Sequence, residues 1–258
     1  MSLSEQQNES NTQSTSSKED IQEEQVNYEI NGTKYVGYVY YNEEQKGKRP
    51  GILVVHEWWG LNDYSRHRAK QLAQLGYISM AVDMFGNGKT VEDPASAQEL
   101  AMPFYKSPSL TKQLLDPAIE LLKTYPQTEV TKMGAIGYCF GGFVVLNAAK
   151  LGADLKGVVS FHGGLGGEKP NKDIIKAKIL VCHGAADPFT NPEVDEFKKE
   201  MDNAGVDYTF KVYADATHAF SNPNATAKGE KYNMPIKYNE AADMASWNDM
   251  KQFFKKIF

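Results

Sequence analysis

The chain has 258 residues, 41% of them hydrophobic and 24% charged, with a formal net charge of −5. That is enough apolar material for one large core, an acidic balance that argues against nucleic acid as a partner, and, with only two cysteines, no disulfide framework. No apolar run reaches the roughly 18 residues of a membrane span, and neither a Cys/His cluster at zinc spacing nor a phosphate-cradling Gly-Lys loop is present, so no metal or other cofactor is expected.

Residues 1–25 are Ser, Gln, Asn, Glu and Thr with almost nothing apolar. They bury too little surface to offset ordering entropy, so a disordered polar tail is expected there, with a single α/β domain over residues 26–258. No charged n-region followed by an apolar h-region is visible. A polar tether of this kind also follows a removed export leader, and an exported or periplasmic setting is favoured over a cytoplasmic one.

Tyr28–Ile30 and Lys34–Tyr41 flank Asn31-Gly32, the pattern of a β-hairpin. After a charged loop, Gly51–His56 is a continuous apolar run, as in a strand buried on both faces of a mostly parallel sheet. A helix follows, with Asp63 as N-cap, Ala69, Leu72, Ala73 and Leu75 at helical spacing, and Gly76 at its end. Tyr77–Asp83 is the next strand, and Met84–Pro94 a Gly-rich loop. Two helices are expected around Ala95–Met102 and Leu110–Thr124, then a strand through Lys132–Ile136 and a helix over Phe143–Lys150. Lys156–His162 and Ala177–His183 read as strands, Pro192–Ala204 as a helix, and Tyr208–Tyr213 as the last strand. After a polar loop, a C-terminal helix covers Ala241–Lys256 with Met244, Trp247, Met250, Phe253 and Phe254 inward. Strands alternating with helices after an antiparallel start give a sheet covered by helices on both faces.

The chemistry centres on Gly137-Tyr138-Cys139-Phe140-Gly141-Gly142. Strand, tight Gly-x-nucleophile-x-Gly turn and helix make a nucleophile elbow, here with Cys139 in the usual place of Ser. The glycines are expected for steric reasons, and the helix N-terminus favours a thiolate. Ligands of open α/β sheets lie beyond the carboxyl ends of the strands. His56, Glu57, Cys139, His162, His183, Asp187 and His218 all follow strands and would converge there. In this order of elements the nucleophile is followed by the acid and then the histidine, which selects Cys139, Asp187 and His218. Asp215 is the rival acid, and His162 and His183 rivals for the base. His67 falls on a solvated helix face. The oxyanion hole would take the backbone N–H groups of Phe140 and Trp58. Trp59, Tyr138, Phe85, Asn87, His162, Phe220 and Asn222 are the expected pocket residues. Cys182 closes its own strand.

His56-Glu57-Trp58-Trp59-Gly60, the Cys139 hexapeptide, His183-Gly184-Ala185-Ala186-Asp187 and Thr217-His218-Ala219-Phe220 together resemble the dienelactone hydrolase family of α/β-hydrolases, over residues 28–258. The resemblance implies the α/β-hydrolase fold and a catalytic Cys139–His218–Asp187 triad. It also implies a role for Glu57 in holding the resting thiol and activating it when substrate arrives; the alternative is a carboxylate paired with Arg66 or Arg68. Where that family binds its substrate's carboxylate with two arginines, this sequence has Asn87 and Asn222, with Lys89 near the first. An amide brings no charge, so the reaction type carries over and dienelactone itself does not. The expected activity is cleavage of a small ester or lactone through a thioester, by a monomer or small homo-oligomer. Two alternatives stay open: a non-catalytic small-molecule binder on the same scaffold, and a thiol-redox protein using Cys139 and Cys182.

Overall fold

The computed structural model describes residues 21–258. Eight strands form one sheet in the order β1-β2-β4-β3-β5-β6-β7-β8. The strands are β1 (Ile21–Ile30), β2 (Thr33–Asn42), β3 (Arg49–Val55), β4 (Ile78–Val82), β5 (Thr128–Tyr138), β6 (Gly157–Phe161), β7 (Lys178–Gly184) and β8 (Tyr208–Tyr213). The hairpin β1–β2 is antiparallel and joins β4 antiparallel; all pairs from β4 through β3 to β8 are parallel. This is the α/β-hydrolase architecture, and the antiparallel start lies where Asn31-Gly32 put it.

Alternation along the central strands sorts the core into two faces. Leu53 and Val55 of β3 point into one apolar cluster, Ile52 and Val54 into the other. The first cluster is covered by α2 (Pro94–Lys106), α3 (Ser109–Lys123), α4 (Phe140–Lys150) and α5 (Val194–Asn203). The second lies under α1 (Asp63–Gln74) and α7 (Glu240–Ile257). A further helix, α6 (Ala225–Tyr232), lies in the stretch expected to be a polar loop. Its polar composition gives no helical stripe, but Gly229 lets its backbone approach Ile236 closely.

Three other expectations are corrected. Ile21–Gln25 are not tail but the start of β1, paired residue by residue with Tyr38–Asn42. An edge strand takes its order from backbone hydrogen bonds, so polar side chains that face solvent do not forbid it. The rest of the expected tail, residues 1–20, lies outside the described residues. The N-cap of α1 is Asn62, whose Oδ1 accepts from Tyr64 N at 3.2 Å, and Asp63 is the first helical residue. Met244 is exposed, while Met250 and Phe254 are buried as expected. No helix among the described residues is long and apolar enough to cross a membrane.

Candidate active site

Cys139 sits between the last residue of β5 and the first of α4, at φ 53° and ψ −114°. A non-glycine residue held there stores on the order of 1–3 kcal/mol of strain, so its surroundings must over-determine it. A Cβ on Gly137 would lie 2.0 Å from Gly141 O, and one on Gly141 would lie 2.2 Å from Val55 O. The elbow is thus folded on itself and onto β3 with no room for side chains. The Cys139 N–H donates to Phe161 O at 2.9 Å and to His162 Nδ1 at 3.1 Å, which ties the elbow to the end of β6.

Segments far apart in sequence meet at the sulfur. His218 Nε2 lies 3.0 Å from Cys139 Sγ, and His218 Nδ1 lies 2.8 Å from Asp187 Oδ2. Asp187 is fully buried, and its Oδ1 accepts the N–H groups of Phe189 at 2.9 Å and Thr190 at 3.3 Å. Burial alone would raise its pKa, but the hydrogen bonds to His218, Thr190 and Phe189 outweigh burial and hold it down at about 2. Burial would likewise lower His218; the Cys139 sulfur and the Asp187 carboxylate raise it well above the usual imidazole value. A thiol, a base within hydrogen-bond reach and an acceptor fixing the other ring nitrogen form the arrangement that moves a proton from sulfur to imidazole.

The rivals sit elsewhere. Asp215 is exposed in a turn at φ 57°. His183 braces the turn that carries Asp187, with Nε2 2.7 Å from Asn191 Oδ1 and Nδ1 3.4 Å from Thr190 Oγ1. His67 is exposed. Cys182 is fully buried, and desolvation pushes its thiol up to about 12, an inert state for redox exchange.

Glu57 leaves the end of β3 and reaches the same centre. Arg66 pairs with Glu23 and Arg68 with Asp243, so the partner of Glu57 is an uncharged amide, Asn222 Nδ2, at 2.6 Å. Burial pushes the Glu57 carboxyl up to about 7, against smaller lowering effects from Asn222, His218, Lys228 and Arg68. The stability consequence has a definite sign. Between its ordinary value of 4.5 and about 7, the unfolded chain gives up this proton while the folded chain keeps it, so stability falls as pH rises through that window. Glu57→Gln is therefore expected to leave thermal stability unchanged near pH 4 and to raise it at pH 8, by on the order of 3 kcal/mol. Melting curves at the two pH values check this; equal shifts at both would contradict it.

A cavity of about 490 Å3 opens above these groups. Trp58, Trp59, Tyr105, Phe189, Met234, Pro235 and Ile236 form its walls, with Glu57, Cys139, His218, Glu193 and Asn233 among its polar groups. No Lys or Arg is among the described residues that line it. Neither Trp58 N–H nor Phe140 N–H donates to an acceptor among the described residues.

Of the expected pocket residues, Trp59 lines the cavity and the other six do not. Tyr138 and Phe220 are fully buried in the core beneath α1 and α7. Phe85 packs into the opposite core. His162 is buried behind the elbow, and Asn222 lies beneath Glu57. Asn87 is exposed in a left-handed turn, its N–H on Lys34 O at 2.7 Å. Lys89 does not reach the cavity either. The wall residues missing from the sequence reading come from the end of α2, the turn after Asp187 and the link between α6 and α7. The one local signal was Phe189, a large apolar residue two positions after Asp187, which the structure leaves 51% exposed.

Comparison with known proteins gives concordant results. The family model described as "Dienelactone hydrolase family" matches residues 36–258. The protein named usf of Aquifex pyrophilus is 30% identical over 237 residues, covering 90% of this chain and 97% of the relative. A crystal structure of a dienelactone hydrolase-like promiscuous phosphotriesterase from metagenomic libraries superposes with a TM-score of 0.86 at 32% identity, over 92% of this chain and 99% of the other. A structure named m3DLH superposes at 0.87 with 34% identity and the same coverage of both chains.

Proposed function

This chain belongs to the dienelactone hydrolase family, and from that premise we propose that it hydrolyses a small uncharged ester or lactone through a thioester on Cys139. The observation that carries this reading is the unbroken chain Cys139 Sγ to His218 Nε2, and His218 Nδ1 to Asp187 Oδ2, at 3.0 and 2.8 Å.

His218 Nε2 takes the thiol proton, and the sulfur attacks the ester carbonyl carbon. The carbonyl π electrons move to oxygen, where the N–H groups of Trp58 and Phe140 receive the negative charge. A preorganised donor of this kind is worth about 10²–10³ in rate. Collapse of the tetrahedral species expels the alcohol, which takes its proton from His218, and leaves the acyl group on sulfur. Water then gives a proton to His218 and attacks the thioester; collapse returns the proton to sulfur and releases the acid. Asp187 keeps Nδ1 protonated throughout, so that Nε2 alone faces the chemistry. Glu57, raised to about 7 by burial, is only partly ionised at neutral pH and so opposes the thiolate less than an ordinary carboxylate would.

The substrate's charge follows from the lining. With apolar walls, Glu57 and Glu193, and no Lys or Arg among the described residues that line the cavity, a carboxylate on the substrate would lose its hydration with no lining cation to replace it; Lys228, over the Trp59 ring, is already paired with Glu92. The expected result is a kcat/KM for p-nitrophenyl butyrate at least about tenfold above that for the mono-p-nitrophenyl ester of succinate, a difference of about 1.4 kcal/mol. A neutral lactone such as dihydrocoumarin should be turned over as well. Preference for the succinate ester would overturn the assignment of substrate class, and no turnover of any ester or lactone would favour a binding protein.

A further inference from the structure

His162 takes no part in the chemistry just described and does not reach the cavity, yet both of its ring nitrogens are hydrogen-bonded behind it. Its Nδ1 accepts the Cys139 N–H at 3.1 Å. An acceptor at Nδ1 places the ring proton on Nε2, which donates to Ser221 Oγ at 2.7 Å. Ser221 Oγ lies 2.8 Å from Tyr64 OH, and Ser221 O accepts from Tyr64 OH at 3.1 Å and from an Arg68 guanidinium nitrogen at 2.8 Å. Arg68 also pairs with Asp243 of α7. The imidazole packs edge-on against His218, with ring centroids 5.4 Å apart, and against Phe220 at 5.0 Å. His162 itself sits at φ 41°.

This chain joins two backbones that must stay in register. One is the strained elbow at Cys139. The other is the loop from His218 to Asn222, which carries the base, Ser221 and the partner of Glu57. Resting on the proposed roles of Cys139 and His218, we infer that His162 and Ser221 form a positioning pair that holds the sulfur and the imidazole at their working distance. Its neutral form is required, because an imidazolium would donate at Nδ1 toward the Cys139 N–H. Burial, and to a lesser extent the charge of His218, keep it neutral by holding its pKa well below 6.5.

The test uses Ser221→Ala, His162→Asn and the double variant. Asparagine sets an oxygen where Nδ1 was and keeps the bond to the elbow, but it cannot reach Ser221, so both single variants cut the same link. Each is expected to lower kcat for p-nitrophenyl butyrate by roughly tenfold or more, with KM held within about twofold. The double variant should be no slower than the slower single variant. Alkylation of Cys139 by iodoacetamide at pH 7 needs no turnover and should slow in parallel. Unchanged kcat and alkylation in Ser221→Ala, or losses that multiply in the double variant, would overturn the pair. Losses that merely track a fall in melting temperature would do the same. If Cys139→Ala kept wild-type turnover, the functional proposal would fall, while the alkylation rates would still report on the positioning pair.

Discussion

Cys139→Ala abolishes turnover of p-nitrophenyl acetate, with kcat falling on the order of 10⁴- to 10⁶-fold, the range seen when a nucleophile that acts as part of a unit is removed. The expectation does not depend on the natural substrate, because an activated ester needs only a nucleophile, a base and an oxyanion site. The folded state should survive the change. Cys139 is the one elbow residue that is only partly buried, and its structural ties run through its backbone N–H and C=O, which alanine keeps. Two further readings separate loss of chemistry from loss of structure. His218 is raised in part by the sulfur beside it, so its pKa, followed by NMR titration, should fall in the variant. Cys182→Ala should leave turnover intact, since that thiol is buried in the core below α7. Undiminished turnover in Cys139→Ala would remove the sulfur from the mechanism.

How much of this was legible in the sequence depended on range. The elbow was legible because its constraint is local: Gly137 and Gly141 exclude side chains within one turn, and the strand before and helix after show in a dozen residues. Asp187 and His218 were legible through chain order and their places just beyond β7 and β8. The cavity wall was not. Asn233–Ile236 reach the site only because α6 folds back, with Ile236 forming a parallel bridge to His218, and nothing in those residues announces that bridge. Tyr138 and Phe220 were placed in the pocket because they neighbour Cys139 and His218. The pleat of β5 turns Tyr138 into the core under α1 and α7, and the turn after His218, with Ala219 at φ 59°, carries Phe220 into the same core. Ile21–Gln25 read as tail because edge pairing is written in the partner strand. The alternative for Glu57, a pairing with Arg66 or Arg68, does not hold. Arg66 and Arg68 were close in sequence, but Glu23 and Asp243, from distant elements, take them, and that leaves Glu57 to an amide and to burial.

Asp187→Asn is expected to lower kcat by about 10⁴-fold with little change in substrate affinity, the loss that follows when a triad histidine is locked in the wrong tautomer. The reason is specific to the turn that holds this side chain. An asparagine in water chooses which end of its amide faces a neighbour, but here the choice is made by the backbone. Oδ1 of Asp187 receives the N–H groups of Phe189 and Thr190, so the amide oxygen must occupy that position and the NH2 must face His218 Nδ1. Nδ1 then becomes an acceptor, its proton moves to Nε2, and Nε2–H points at the sulfur instead of receiving a proton from it. His218 also loses the carboxylate that helps to raise it, so less thiolate–imidazolium pair forms at neutral pH. The size of the cavity and its lining are untouched, hence the expected separation of kcat from KM. A steady-state comparison across pH 6 to 9 checks this, with the rate recovering only as rising pH ionises the thiol without help from the base. A variant that kept wild-type kcat at pH 7 would mean that Asp187 holds the turn and leaves the tautomer of His218 to other groups.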